Sequence, residues 1–328
     1  MTTVPQSAAM ITHRHGPSAF RQTLLAVAIT LLSQAVIPVS SLRAENLKPV
    51  TFVAYNLKNY LDMDRRVNGE FRRNSPKPED EITPLIQHLS AIKPDLLGVC
   101  EIGDKLDLEN LASRLSDAGL SLPHLTWVNA SDPYRHLALL SKFPIVSTNH
   151  QEDLSYLIDD VDIPFARGIL DATVEVNPDY QLRLLGIHLK SKRPVPEADQ
   201  ALMRRNEAHL LRKHVDQILE QSPQVNLLVY GDFNDNRNEA PVKAIQGRYG
   251  SSKYLRDIPL TDNLGYRWTY FWSTADQYSR FDYIFVNTGL YPEVVLDESH
   301  LFADKDWYKA SDHRPLVLKI TPVNRKVP

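Results

Sequence analysis

Three short runs hold the side chains that could do chemistry. Tyr230-Gly231-Asp232-Phe233-Asn234-Asp235 follows the apolar stretch Asn226 to Tyr230. Asp232 and Asn234 therefore emerge at a strand end, where residues two apart point to the same side. Arg280-Phe281-Asp282-Tyr283 opens another strand, and Ser311-Asp312-His313-Arg314-Pro315 stands just before the last one. Acids and amides beside strands are usually turn formers. Three such runs, each at the end of a core strand, instead assemble carboxylates, an amide and a histidine, the groups of general acid–base catalysis and of hard-cation binding.

The elements that must position these groups are legible as alternating or continuous apolar runs. Strands are expected over Val50 to Tyr55, Leu96 to Cys100, Leu125 to Asn129, His136 to Ser141, Gly168 to Val176, Leu182 to Leu189, Asn226 to Tyr230, Trp268 to Trp272, Phe281 to Val286 and Leu316 to Ile320. Helices are expected from about Ala198 to Gln221, from Glu81 to Ala91, and from Leu108 to Ala118 with Gly119 as the stop. Several strands follow one another across short turns, which favours helices packed outside two mixed central sheets over a regular βαβ winding. Asn59 to Asp80, rich in Arg, Asn, Asp and Pro, reads as a long loop. The aromatic run Tyr266, Trp268, Tyr270, Phe271 and Trp272 reads as mostly core, with one ring left to stack on a base or a lipid.

In this order the motifs resemble the endonuclease/exonuclease/phosphatase superfamily, which includes pancreatic-type deoxyribonucleases, apurinic endonucleases, bacterial sphingomyelinases and inositol-polyphosphate phosphatases. The resemblance rests on Tyr55-Asn56, Cys100-Glu101, Leu140-Ser141-Lys142-Phe143-Pro144-Ile145, His188-Leu189-Lys190-Ser191, the Gly231-Asp232-Phe233-Asn234 run, Arg280-Phe281-Asp282-Tyr283 and Ser311-Asp312-His313-Arg314-Pro315. It runs from Val50 to about Ile320. The resemblance implies an α/β fold, a four-layered α/β/β/α sandwich of two mixed sheets flanked by helices, with the catalytic groups at one edge.

Residue by residue, it implies that Glu101 is the principal ligand of a divalent ion, with Asn56 beside it and Asp312 completing the site. Oxygen ligands of this kind suit Mg²⁺ or Mn²⁺, with Ca²⁺ also admitted, better than Zn²⁺. Asp232 and Asn234 match residues that orient the attacking water and hold a phosphate oxygen. His313 matches the general base, its tautomer set by Asp282. His188 matches a second catalytic histidine that binds the phosphate or assists the leaving group. Arg167, Lys190 and Arg205 are the candidate substrate contacts. Tyr55 stands where many members have Trp, and the Tyr-x-Pro-Asn segment of apurinic endonucleases has no counterpart, Tyr134-Arg135-His136 filling that stretch. This disfavours abasic-site repair. Tyr55-Asn56-Leu57-Lys58-Asn59-Tyr60 and Lys190-Ser191-Lys192 followed by Arg204 and Arg205 are similar instead to the extracellular nuclease branch.

His13, Arg14, His15 and Arg21 precede an apolar run from Leu24 to Val39 and then Ser40, Ser41, Leu42, Arg43 and Ala44, the layout of a secretory signal peptide over residues 1–44. Thr30, Ser33, Gln34 and Pro38 break the run, which falls short of the roughly 20 apolar residues of a spanning helix. Residues 45–328 read as one domain, exported to the periplasm or beyond, with no membrane anchor and no stable protein partner evident. Arg14, Arg21 and Arg43 are the only Lys, Arg, Asp or Glu residues before Glu45, so losing residues 1–44 takes the formal charge from −3 to −6. That excludes a protein that coats nucleic acid electrostatically and leaves room for a local basic groove lined by Arg65, Arg66, Arg72 and Arg73. Cys100, the only cysteine, lies among Leu96, Leu97, Val99 and Ile102 and reads as a buried structural thiol. The sequence thus points to metal-dependent phosphodiester hydrolysis of DNA or RNA. A sphingomyelinase-like or inositol-phosphate phosphoesterase, and a catalytically silent binding protein on the same fold, are the alternatives.

Overall fold

A computed structural model describes residues 48–325; the expected signal peptide lies outside them. The chain enters through β1 (Val50–Tyr60), forms a hairpin of β2 (Met63–Val67) and β3 (Glu70–Ser75), and continues into helix α1 (Glu79–Ile92) and β4 (Leu96–Ile102). Helix α2 (Lys105–Asp117), β5 (His124–Trp127), β6 (His136–Ser141) and β7 (Ile145–Thr148) come next. A hairpin of β8 (Ser155–Ile158) and β9 (Val161–Pro164) leads to β10 (Leu170–Asn177) and β11 (Tyr180–His188). Helix α3 (Gln200–Gln221) precedes β12 (Leu227–Asp232), α4 (Ala240–Gln246) and β13 (Arg256–Asp257). The last part holds β14 (Tyr270–Trp272), β15 (Gln277–Ser279), β16 (Asp282–Val286), β17 (His300–Leu301), α5 (Trp307–Ala310) and β18 (Leu316–Ile320).

Two six-stranded sheets result, ordered β17-β18-β1-β4-β6-β5 and β13-β16-β12-β11-β10-β7. Each has one parallel pair at its centre, β1 with β4 and β11 with β12, and antiparallel neighbours outside it. Alternation along the strands sorts the side chains into layers. Phe52, Ala54, Leu228 and Tyr230 face the other sheet in a shared core. Val53, Tyr55 and Val317 face α1 and α2, through Ile82, Leu85, Leu108 and Leu111. Leu185, Val229 and Phe285 face α3 and α4, through Ala208, Leu211, Val215 and Ile245. This is the four-layered sandwich with mixed sheets.

The sheets approach closely where Tyr230 lies edge-on to Phe52, ring centres 4.9 Å apart. A Cβ on Gly98 would stand 2.2 Å from the Tyr230 ring, so only glycine admits it there. Helix boundaries follow their caps. Asp104 accepts from Leu106 N and Asp107 N while Asp107 reaches back to Asp104 N, which starts α2 three residues before the expected Leu108. Asp199 caps α3 with its side chain alone, accepting from Ala201 N and Leu202 N.

Two expectations are corrected. Met63 to Ser75 is a hairpin, not part of a loop: Asn68 (φ 53°) and Gly69 (φ 83°) supply the two left-handed residues that a tight two-residue turn requires. The segment carries charge on both faces and rests on no core, so it lacks an apolar alternation. The aromatic run is not mostly core. Tyr266 and Trp268 precede the small β14–β15 hairpin and Tyr270 to Trp272 form its first strand; Tyr266 is 56% and Trp272 49% exposed, and Phe271 stacks on Tyr278 of β15 at 4.4 Å. Cys100 is buried, with Sγ 3.5 Å from Ile187 O in the facing sheet.

Candidate active site

The two central parallel pairs deliver their C-terminal ends to one rim. Register places Asn56 beside Cys100, and His188, Asp232 and Asp282 in a row across β11, β12 and β16. Gly231 makes that row possible: its φ is +134°, and a Cβ there would meet Ile187 O at 1.9 Å. At the end of β4, Glu101 adopts φ 60°, a left-handed conformation rare for a non-glycine residue and typical of sites where function fixes the backbone. The turn aims its carboxylate at the second sheet's residues.

Asn56 joins the two sheets. Its Nδ2 donates to Glu101 Oε1 at 3.3 Å and to Asp232 Oδ2 at 3.1 Å, while its Oδ1 accepts from Lys58 N at 3.0 Å. Glu101 Oε2 accepts from Asn59 N at 3.0 Å. His188 Nε2 faces the same two acids, 3.8 Å from Glu101 Oε1 and 3.6 Å from Asp232 Oδ2.

His313 approaches Asp232 from the other side, with Nε2 3.7 Å from Asp232 Oδ2. Its Nδ1 lies 2.7 Å from Asp282 Oδ2. A chain of hydroxyls fixes this pair. Thr269 Oγ1 donates to the same Asp282 oxygen at 2.7 Å and accepts from the amides of Phe281 and Asp282, each at 3.0 Å. Ser311 Oγ donates to Asn56 O at 2.8 Å and accepts from His313 N at 3.1 Å, tying the His313 turn to β1. The Tyr270 ring covers one side of the imidazole, ring centres 4.8 Å apart.

Burial would depress the His313 pKa, but the Asp282 and Asp232 carboxylates outweigh it and push the ring up to about 10. His188 is driven the opposite way, by burial first and then by the charges of Arg167, His313, Arg135 and Lys190, so it is neutral at physiological pH. Burial and the neighbouring Asp282 raise Asp232. The two histidines of one cluster are thus shifted in opposite directions by their surroundings.

The donor set fits a divalent cation. Glu101, Asp232 and Asp282 are carboxylates crowded into one buried rim, and Asp232, Asp282 and His313 present ligand atoms within 4.8 Å of one another. Burial raises Asp232 most and repulsion from Asp282 adds to it, and a cation would relieve that repulsion. Asp282 spends one oxygen on His313 and Thr269, which leaves Glu101 and Asp232, converging on Asn56 and His188, as the better-placed acids.

The remaining sequence candidates fall as follows. Asn234 closes the turn after Asp232, its N donating to Asp232 Oδ1 at 2.8 Å and its Nδ2 to Leu189 O at 2.9 Å. Asp312 is half-buried, accepts through its backbone O from Phe271 N at 2.9 Å, and its charge acts on Tyr55, Tyr270 and His313. Arg167 pairs with Asp132 at 3.1 Å, and its charge reaches His188 and Lys190. Lys190 Nζ rests on Arg193 O at 3.0 Å. Arg205 is exposed on α3, and it is the preceding Arg204 that is buried and bonds the segment after His188. Thr269 and Ser311 were not singled out by sequence. The one available signal for Ser311 is its place in the Ser-Asp-His run.

Residues 55–313 match the Endonuclease/Exonuclease/phosphatase family, and the chain belongs to it. The match opens on Tyr55, next to Asn56, and closes on His313. The protein is accordingly a hydrolase acting on phosphoester bonds. A comparison with curated proteins found no match. Among solved structures, the chain is similar to the human Nocturnin catalytic domain at 18% identity and TM-score 0.58, over 83% of this chain and 93% of that one. It is similar to sphingomyelinase C from Streptomyces griseocarneus at 15% identity and TM-score 0.54, over 83% and 99%. A humanized D. rerio TDP2 shares 19% identity at TM-score 0.56, over 83% and 98%. These likenesses establish the fold.

Proposed function

We propose that the protein is an exported, divalent-metal-dependent phosphodiesterase that cleaves DNA or RNA. The observation that carries the reading is the arrangement of His313 between Asp282 and Asp232, with Glu101 and neutral His188 on the far side of Asp232. A bound Mg²⁺, or Mn²⁺ in its place, supplies Lewis-acid polarisation of the phosphoryl oxygens, and Glu101 and Asp232 would hold it with Asn56 and Asp312 alongside. His313 accepts the proton of the attacking water, Asp282 and Thr269 hold its Nδ1 side fixed, and His188 meets the phosphate or the departing oxygen as a neutral donor. The carboxylates that raise His313 are the ones a cation on Glu101 and Asp232 would neutralise, which would favour the proton-accepting form of the ring.

Nucleic acid is favoured over smaller esters by the cations around His188, namely Arg135, Arg167 and Lys190. Arg66, Arg72 and Arg73 are exposed on the β2–β3 hairpin. A lipid ester is the second reading, favoured by the half-exposed Trp272 and Tyr278 of the β14–β15 hairpin. Export rests on residues 13–44 of the sequence, and no helix among the described residues is long and apolar enough to cross a membrane. The test is a panel of DNA, RNA, a phosphomonoester and sphingomyelin under Mg²⁺, Mn²⁺ and Ca²⁺. Turnover of sphingomyelin or the monoester alone would replace the nuclease reading, and turnover of none would favour a silent binding protein.

A further inference from the structure

Helix α3 grips the main chain of Lys190 from both sides. Glu207 Oε2 accepts from Lys190 N at 2.6 Å, and Arg204 Nη1 donates to Lys190 O at 3.2 Å. Residues 204 and 207 are three apart and share a helix face, and both are almost fully buried, at 2% and 1% exposure. Arg204 also donates to Ser191 O at 3.2 Å and pairs through Nε with Asp235 Oδ2 at 3.1 Å. On the preceding residue, Leu189 N donates to Asp232 O at 3.0 Å and Leu189 O accepts from Asn234 Nδ2 at 2.9 Å. Every backbone polar group from Leu189 N to Ser191 O, apart from Ser191 N, is therefore claimed by a residue of α3 or of the Asp232–Asn234 turn.

The catalytic groups do not account for Glu207. Apolar contacts of Ala208, Leu211 and Val215 already seat the helix on the sheet, so a buried carboxylate is not needed to hold it there. Burying an acid is costly, and here burial pushes it up to about 7 against the pull of Arg167 and Lys190. Its other partner is the Tyr156 hydroxyl at 3.4 Å. What the clamp leaves loose is the Lys190 ammonium, which forms no ion pair among the described residues and rests only on Ser191 O, Ser191 Oγ and Arg193 O. The backbone under this ammonium is fixed, two residues from His188, and its only partners are neutral oxygens, which an arriving anion replaces at no loss of an ion pair.

We infer that Glu207 and Arg204 are positioning residues that set the Lys190 ammonium against the phosphodiester beside His188, so that α3 governs substrate affinity. This rests on the phosphodiesterase reading with Lys190 as a substrate contact. The test is KM and kcat on a small aromatic phosphodiester with Mg²⁺ for Lys190→Ala, Glu207→Ala, Glu207→Gln and the Lys190→Ala/Glu207→Ala double variant. Removing one charge-assisted hydrogen bond to the substrate corresponds to roughly a 10- to 100-fold rise in KM. Lys190→Ala and Glu207→Ala should each raise KM on that scale with a smaller fall in kcat, and the double variant should be no worse than the poorer single one. Glu207→Gln keeps an oxygen for Lys190 N and should recover most of the affinity. Should Glu207→Ala not fold, Glu207→Leu, which has similar bulk and no acceptor, takes its place. Multiplicative losses, an unchanged KM in Glu207→Ala, or a Gln variant as poor as the Ala variant would overturn the inference alone. An unchanged KM in Lys190→Ala would remove Lys190 from the substrate site, and the inference with it.

Discussion

His313 and Asp282 meet at 2.7 Å through Nδ1 and Oδ2, and the pair comes from segments 31 residues apart that only the fold brings together. Replacing either by Ala should lower the chemical rate by roughly 10²- to 10⁴-fold, the usual worth of acid–base catalysis. Because Asp282 acts by fixing the His313 ring, the double variant should be little slower than the worse single variant. Single-turnover rates under saturating Mg²⁺ check this, and fully multiplicative losses would show that the two act independently.

Thr269 supports that pair with one hydroxyl that donates once and accepts twice. Thr269→Val keeps the shape and leaves the amides of Phe281 and Asp282 without their acceptor. The expected cost is about 1–3 kcal/mol of stability, together with a smaller loss of rate than in Asp282→Ala. Urea unfolding and turnover measured on the same sample read both, and Thr269→Ser should restore both. A Val variant as stable and as fast as wild type would show that the hydroxyl is dispensable.

The arginines of the β2–β3 hairpin divide by role. Arg65 is spent on the fold, donating to Ser75 O, Asn59 O and Leu61 O, whereas Arg66, Arg72 and Arg73 are exposed. Changing those three to Ser should weaken binding to a DNA polymer and flatten its salt dependence by about 0.9 in slope for each phosphate no longer neutralised. Cleavage of a small diester should be unaffected. Equal effects on both substrates would sink the groove and shift weight to a small or lipid ester.

Glu293 offers a pH test away from the rim. It accepts from the Tyr180 hydroxyl and from Arg325 N at 2.9 Å, and burial pushes its carboxyl up to about 7. A raised acid is protonated in the fold while the unfolded chain has already ionised, so its stabilising contribution is complete below the unfolded value of about 4.5 and is lost as pH rises toward 7. Glu293→Gln lacks that loss, so its stability relative to wild type should improve between pH 4.5 and pH 8. A difference between the two proteins that stays constant across that range would contradict the assignment.

Much of the rim was legible because its residues sit in short runs at strand ends. Asn56, Glu101, His188 and Asp232 lie in or just beyond the C-terminal parts of apolar runs and His313 just before the last one, and strand register sets Asn56 beside Cys100 and His188 beside Asp232. Thr269 was hidden inside an aromatic run whose alternation reads as a strand, and nothing local shows that its hydroxyl reaches an acid 13 residues away. The hairpin at Met63 to Ser75 carried a readable turn in Asn68-Gly69 but no apolar face to mark its strands. Helical phase could have chosen Arg204 over Arg205, since residue 204 opens the series continued by the buried Ala208, Leu211 and Val215 at i+4, i+7 and i+11, and residue 205 falls off that series. Glu207 lies on that same face, and its partner Lys190 N is a backbone group that no side-chain pattern announces.

The proposed hydrolysis depends on a cation held by Glu101 with Asp232. This dependence is tested most directly by titrating Mg²⁺ into chelator-treated wild type and Glu101→Gln while following turnover of a small phosphodiester, with thermal unfolding recorded for both. Wild type should be silent without the ion and recover saturably, and the Gln variant, folded to the same midpoint, should stay silent throughout. Full turnover by chelated wild type, or a wild-type titration curve from folded Glu101→Gln, would contradict it.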